Sequence, residues 1–242
     1  MNYKISVQYD GTNYYGWAKQ PNKQTIQEVI EKTFQQVFKL DGIKVIGSGR
    51  TDRYVHAYQQ VCNVFHANLH YPSHIIQKAI NAFLPSDIQI IDVKIVDDDF
   101  HAQYNAINKT YMYVINKETN LFERHYAYYD SRLKWDINRL EIIKQQFYGT
   151  HNFLSFSTSE LTNTVREIQA IEIIETKKDV RIYITGNGFL KNMVRMVVAS
   201  MLMYMNYERT EAEIIYLLNH PLKGSAQAIL PGHGLYLMKV NY

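Results

Sequence analysis

The chain has 242 residues, 46% hydrophobic and 20% charged, with a formal net charge of +3, which is the composition of a folded protein able to bury a substantial core as one large or two closely packed domains. Its single cysteine, Cys62, excludes an internal disulfide and any metal cluster built from several thiolates. The chain lacks the run of about eighteen apolar residues that a membrane span requires, and its N-terminus lacks the apolar core of a signal peptide, so the expectation is a cytoplasmic chain with no membrane partner.

In chain order, Lys4 to Tyr9 alternates polar and apolar residues and runs into Asp10-Gly11, a strand closed by a turn. The irregular stretch after it carries Tyr14, Tyr15, Trp17, Lys19 and Gln20, residues suited either to a nucleic-acid contact or to the edge of a core. Thr25 and Glu28 have capping-box spacing, and Ile26, Val29, Ile30, Phe34, Val37 and Phe38 form one apolar stripe, predicting a helix. The segment IGSGRTDRYVHAYQQVCNV, from Ile46 to Val64, places Arg50 and Asp52 two residues apart after Gly47 and Gly49. In extended backbone such residues share a face, so the arginine would touch the aspartate and hold it ionised. The plainer reading is a turn ion pair, or an aspartate bonded to nearby backbone N–H groups.

Val55 to Phe65 reads as a strand. His66, His70 and His74 would align as metal ligands only on one continuous helix, which Pro72 breaks, so no metal site is assigned. Ser73 is the expected cap of a helix carrying Ile75, Ile76, Ala79, Ile80 and Phe83, and IQIIDVKIV is the next strand. This alternation predicts an α+β unit with helices on one face of a sheet. Tyr111, Tyr113 and Ile115 alternate along another strand, and residues 117–135 interleave Lys117, Arg124, Arg132 and Lys134 with aromatic rings, as either an RNA-facing surface or a solvated loop. Asp136 caps a helix from Ile137 to Phe147. Val165 to Ile174 and Val180 to Thr185 make a hairpin, and Phe189, Leu190, Met193, Val194, Val197, Val198, Met201 and Leu202 mark a helix whose apolar stripe leaves Arg195 to one side. Thr210 and Glu213 form a second capping box before Pro221, and a strand ends the chain.

Several of these segments together resemble the TruA-type tRNA pseudouridine synthases. GSGRTDRYVHA resembles that family's GxGRTDAGVHA, with Arg53 and Tyr54 in place of Ala and Gly. Phe100, His101, Ala102, Lys109, Tyr111 and Tyr113 fit its FHAR and Y-x-Y pattern, with Gln103 in place of Arg. FLKNMVR resembles its NxFLxxMVR, and PGHGLYLMKVNY its C-terminal PAxGLYLxxVxY, with Gly232 in place of Ala. The resemblance implies two ferredoxin-like (RRM-like) α+β halves, residues 1–104 and 105–242, joined into one antiparallel sheet with helices on one face and a central cleft. It implies Asp52 as the catalytic carboxylate, Arg50 and Arg195 as its partners, Tyr111 stacked on the target uracil, and Leu235 lining the uracil pocket, with His56 and Lys109 on the substrate side. It further implies a homodimer that isomerises uridine in the anticodon stem-loop of tRNA, at the positions conventionally numbered 38, 39 and 40, without a cofactor. Read from the residues alone, two rivals stand beside this: a non-catalytic tRNA-binding module, and a small-molecule acid/base enzyme using Asp52 with His56.

Overall fold

Backbone pairing follows the alternating patterns closely. A computed structural model describes all residues, Met1–Tyr242. In chain order the elements are β1 (Asn2–Tyr9), α1 (Ile26–Phe38), β2 (Lys44–Gly47), β3 (His56–Phe65), α2 (Ser73–Asn81), β4 (Ile88–Val96), β5 (Asn108–Asn116), α3 (Ile137–Ile143), β6 (Gly149–Asn152), β7 (Val165–Glu175), β8 (Asp179–Gly186), α4 (Met193–Met205), α5 (Glu211–Asn219) and β9 (Leu235–Asn241). The α+β class expected from the sequence is the class observed.

The chain divides into two units, Met1–Ile107 with Tyr236–Tyr242, and Asn108–Leu235. A boundary between residues 104 and 105 therefore leaves the end of the chain in the wrong half. The physical reason is the set of partners that the last strand finds. Tyr236 and Leu237 of β9 pair in parallel with His56 and Ala57 of β3, and Ile107 donates its N–H to the Asn241 carbonyl. Tyr242 donates its hydroxyl to the Ala102 carbonyl at 2.7 Å, and its ring lies under the Lys4 ammonium at 3.9 Å.

In the first unit the strand order is β4-β1-β3-β9, with β2 also on β3. β3 is long enough to take β1 along nearly its whole length, β2 over Cys62–Phe65 and β9 over His56–Ala57. Residues 48–55 are thus the connection between β2 and the start of β3, which is where the RTD segment lies. Tyr3, Ile5 and Val7 of β1, Ile26, Ile30 and Phe34 of α1, and Ile76 and Ile80 of α2 are all fully buried and belong to the core of this unit.

Both predicted caps in this unit are corrected. Thr25 precedes α1, but its hydroxyl makes no cap bond and is buried with no protein partner, while Glu28 pairs with Lys32. The loop before the helix supplies acceptors for the first two helical N–H groups, Ile26 donating to the Gly16 carbonyl and Gln27 to that of Trp17. Ser73 is the first residue of α2 rather than its cap; Pro72 holds that place in extended backbone, its carbonyl accepting from Ile75 and Ile76.

The second unit orders its strands β5-β8-β7-β6, all antiparallel. α4 is buried almost all round, a wider face than the predicted stripe, and it begins at Met193 because Asn192 takes φ +64 and ends the preceding turn. The predicted helix from Ile137 to Phe147 is α3 followed by a tighter 3-10 turn at Lys144–Phe147, and Asp136 caps it by accepting from the Arg139 N–H. The Thr210–Glu213 capping box is complete on both sides. No helix is long and apolar enough to cross a membrane.

Candidate active site

The RTD segment is fixed to the first unit on several sides. Ser48 donates its hydroxyl to the Gln60 side-chain oxygen at 2.7 Å, and Gln60 donates its amide to the Gly49 carbonyl at 3.0 Å from a fully buried position on β3. The Thr51 hydroxyl meets the Tyr9 hydroxyl at 2.8 Å, and the Thr51 carbonyl accepts from the Trp17 N–H at 3.1 Å. Tyr9 is buried, which pushes its phenol far above the ordinary range and keeps it a neutral hydrogen-bonding group. A turn closes after the aspartate, with Val55 donating to the Asp52 carbonyl at 3.2 Å.

Two glycines before the segment allow this fit. Gly16 has φ +87, and a Cβ built there would stand 2.4 Å from the Thr51 carbonyl oxygen; one built on Gly11 would stand 2.1 Å from that of Val55. The Asp10–Trp17 loop therefore lies directly against the RTD backbone, and only glycine admits the approach. Gly16 was not singled out from the sequence, and Gly11 only as part of a turn. A glycine beside aromatic residues was the signal available.

Asp52 itself is partly exposed. Arg50, two residues before it, is exposed. The backbone bends at 48–49 and turns at 53–54, so Arg50, Thr51 and Asp52 form a short irregular link between the two. His56 is buried, with its ring stacked on Tyr236 at 4.7 Å. Its Nδ1 lies 3.1 Å from both the Gly11 nitrogen and Asp10 Oδ1. The Gly11 N–H donates to Nδ1, and Asp10 Oδ1 also accepts from the Thr12 N–H and hydroxyl. His56 thereby braces the Asp10–Gly11 turn.

The remaining candidates belong to the second unit. Arg195, on the first turn of α4, donates through Nε to the Leu230 carbonyl at 2.6 Å and through a terminal nitrogen to Asn192 Oδ1 at 2.7 Å, so it is held on the protein rather than extended into water. The same loop is gripped by buried Tyr113, whose hydroxyl donates to the Pro231 carbonyl at 2.8 Å and whose ring lies against Gly234. Leu235 follows at once and is buried. Tyr111 is only 7% exposed and meets Phe189 edge-to-face at 5.2 Å. Lys109 sits on the same strand; burial, with the Arg166 charge second, pulls its ammonium down to about 8.

The structure divides the two aromatic and basic stretches. Of the first loop, Tyr14 and Trp17 are core, Tyr14 donating to Asp87, and Lys19 is paired with buried Glu31 at 2.6 Å. In residues 117–135, Lys117 pairs with Glu175 and Arg132 with Asp130. Those cations are largely neutralised within the protein.

Residues 5–105 and 143–242 match the family described as tRNA pseudouridine synthase. The chain belongs to that family. A Ureaplasma parvum serovar 3 protein named tRNA pseudouridine synthase A is 51% identical over 245 residues, covering all of both chains. Proteins of the same name from Malacoplasma penetrans and Bacillus subtilis are 42% and 36% identical, the former over all of both chains and the latter over 100% of this chain and 99% of its own. A solved structure titled "Crystal Structure of a Cbf5-Nop10-Gar1 Complex" aligns with 97% of this chain and 57% of its own at 12% identity and a TM-score of 0.38, too distant to carry an argument. Family membership makes the chain an isomerase of the pseudouridine-forming kind, and both the FHAQ and NMVR segments fall inside the matched residues.

Proposed function

We propose that this chain converts uridine to pseudouridine in the anticodon stem-loop of tRNA, with Asp52 as the reacting carboxylate. The observation that carries the reading is a partly exposed aspartate on a backbone held by Gln60, Tyr9, Trp17 and Gly16, in a chain of this family. A carboxylate fixed in advance does not lose orientational freedom when the substrate arrives, which is where positioning lowers a barrier.

The reaction breaks the bond from the ribose C1′ to N1 of uracil, turns the base and joins C1′ to C5; a proton leaves C5 and N1 gains one, so the product is an isomer. One carboxylate serves this in either of two ways. It adds covalently to substrate and is later displaced, or it takes a proton from the sugar so that a glycal forms. In this reading Arg195 and Arg50 supply positive charge around the aspartate, Tyr111 and Leu235 wall the extruded uracil, and Lys109 and His56 lie on the substrate side. Extruding a base from its stack requires such an inner wall. The burial of Tyr111 supports a deep seat for the base.

The test uses unmodified tRNA and maps pseudouridine at single-nucleotide level. Asp52→Asn should keep the wild-type melting temperature and lose about 10²–10⁴-fold in rate, the range for removing a positioned proton-transfer group. A folded variant with the wild-type rate would overturn the role of Asp52, and modification outside the anticodon arm would overturn the site. Light scattering checks the homodimer implied by the family.

A further inference from the structure

Immediately after Asp52, Arg53 and Tyr54 stand where the related motif has Ala and Gly. Tyr54 adopts φ +69, a left-handed conformation that glycine takes freely and a tyrosine does not. A residue kept in such a conformation is over-determined by its surroundings. The surroundings are a layered stack. The Arg53 guanidinium lies 4.2 Å from the centre of the Tyr54 ring and 4.2 Å from that of Tyr15, and the Lys23 ammonium lies 4.4 Å from the Tyr15 ring.

Arg53 and Lys23 are exposed, and neither is paired with a carboxylate, unlike Lys19 and Lys32 nearby. Stacking engages the flat face of a guanidinium and leaves its in-plane N–H fork unobstructed, and that fork is the group that grips a phosphate through two parallel bonds. The rings also remove most of the rotamer freedom that an exposed arginine would otherwise lose on binding.

We propose that the Lys23–Tyr15–Arg53–Tyr54 stack is a phosphate-gripping arm that holds the RNA backbone beside the nucleotide drawn to Asp52. Arg53 adjoins Asp52 in the chain, which anchors the arm next to the proposed reacting residue. The inference rests on tRNA being the substrate. The unusual pair thus supplies a contact that Ala-Gly could not make.

The experiment measures tRNA affinity and steady-state kinetics across a salt series for wild type, Arg53→Ala, Arg53→Gln and Arg53→Lys. Losing one phosphate contact should make the slope of log affinity against log salt shallower by about 0.7–0.9 in both Arg53→Ala and Arg53→Gln, with a KM several-fold higher. Arg53→Lys should retain the slope while still binding more weakly, since it keeps charge without the fork. A merely structural stack would lower the melting temperature of Arg53→Ala and leave its slope at the wild-type value, and that result overturns the proposal. Arg53→Gln, which keeps a planar side chain, decides the matter if the alanine variant folds poorly. Wild-type protein forming no pseudouridine would instead refute the proposed function, and is read in the same assays.

Discussion

Gly16→Ala isolates what the close loop contact does for the reaction. An alanine at φ +87 carries a left-handed strain of about 1–2 kcal/mol, offset by about 0.4–1 kcal/mol from a stiffer unfolded chain. The new methyl would also begin 2.4 Å from the Thr51 carbonyl oxygen, where ordinary contact starts at 3.4 Å, so the RTD backbone must retreat by 3.4 − 2.4 = 1.0 Å. A misplacement of about 1 Å can cost roughly 10²-fold in rate, equivalent to about 2.7 kcal/mol of barrier. Gly42→Ala is the control: its φ is +76, yet a Cβ there meets nothing within 4 Å, so it carries the strain without the push. Single-turnover pseudouridine formation, measured well below each variant's melting temperature, should show Gly16→Ala down by about 10²-fold and Gly42→Ala near wild type. Gly42→Ala should melt only a few degrees lower, since about 1 kcal/mol shifts a chain of this size by roughly 2–4 °C, and Gly16→Ala further below it, because the clash adds about 1–3 kcal/mol. Equal rates in the two glycine variants would refute the claim that the Asp10–Trp17 loop positions Asp52.

Lys109 has its ammonium pulled down to about 8 against an ordinary 10.5, so between those values the unfolded chain holds a proton that the folded chain lacks, and stability rises with pH across that window. Melting curves of wild type and Lys109→Met should therefore diverge from about pH 8 upward, with wild type gaining relative to the variant; parallel curves would contradict the burial argument. In the same window wild type loses a cation on the substrate side, so its KM for tRNA should climb above pH 8 while that of Lys109→Arg stays flatter. The two capping boxes read from the sequence should separate on substitution. Thr210→Ala is expected to lose about 0.5–2 kcal/mol in denaturant melts, and Thr25→Val to lose less than that or gain, because the Thr25 hydroxyl has no protein partner to forfeit.

What the sequence makes legible here is what its local rules determine. β4 begins and ends where IQIIDVKIV does, Asp136 caps α3, and Thr210 with Glu213 closes its box, because each depends on residues within a turn of one another. Thr25 shows where the same rules stop. It has the spacing of a cap, but the loop before it brings carbonyls from Gly16 and Trp17 to the first two helix donors. The final strand escapes the two-half reading for the same reason, since its partners on β3 lie some 180 residues earlier in the chain. In the site, resemblance named Asp52, Arg195 and Tyr111, while the bracing by Gly16, Gln60 and Thr51 required coordinates, because each brace is a contact between separate segments.

The Arg53-Tyr54 pair joins these two kinds of knowledge. The motif's glycine at the Tyr54 position is the residue a left-handed backbone asks for, and the structure keeps that backbone with a tyrosine in it. The conformation is therefore imposed from outside the residue: Tyr54 donates its N–H to the Tyr14 carbonyl at 3.4 Å, and Val55 donates to Asp52 at 3.2 Å, closing the turn from both sides. The loop that carries Tyr14 is the one that Gly16 seats against Thr51, so the contact that positions Asp52 and the contact that holds Tyr54 strained are parts of one joint. It follows that Tyr54→Gly should relax the strain without moving Asp52, leaving the single-turnover rate at saturating tRNA far closer to wild type than that of Gly16→Ala. A Tyr54→Gly rate as low as that of Gly16→Ala would mean that the tyrosine, and not the packed backbone, sets the shape of the loop.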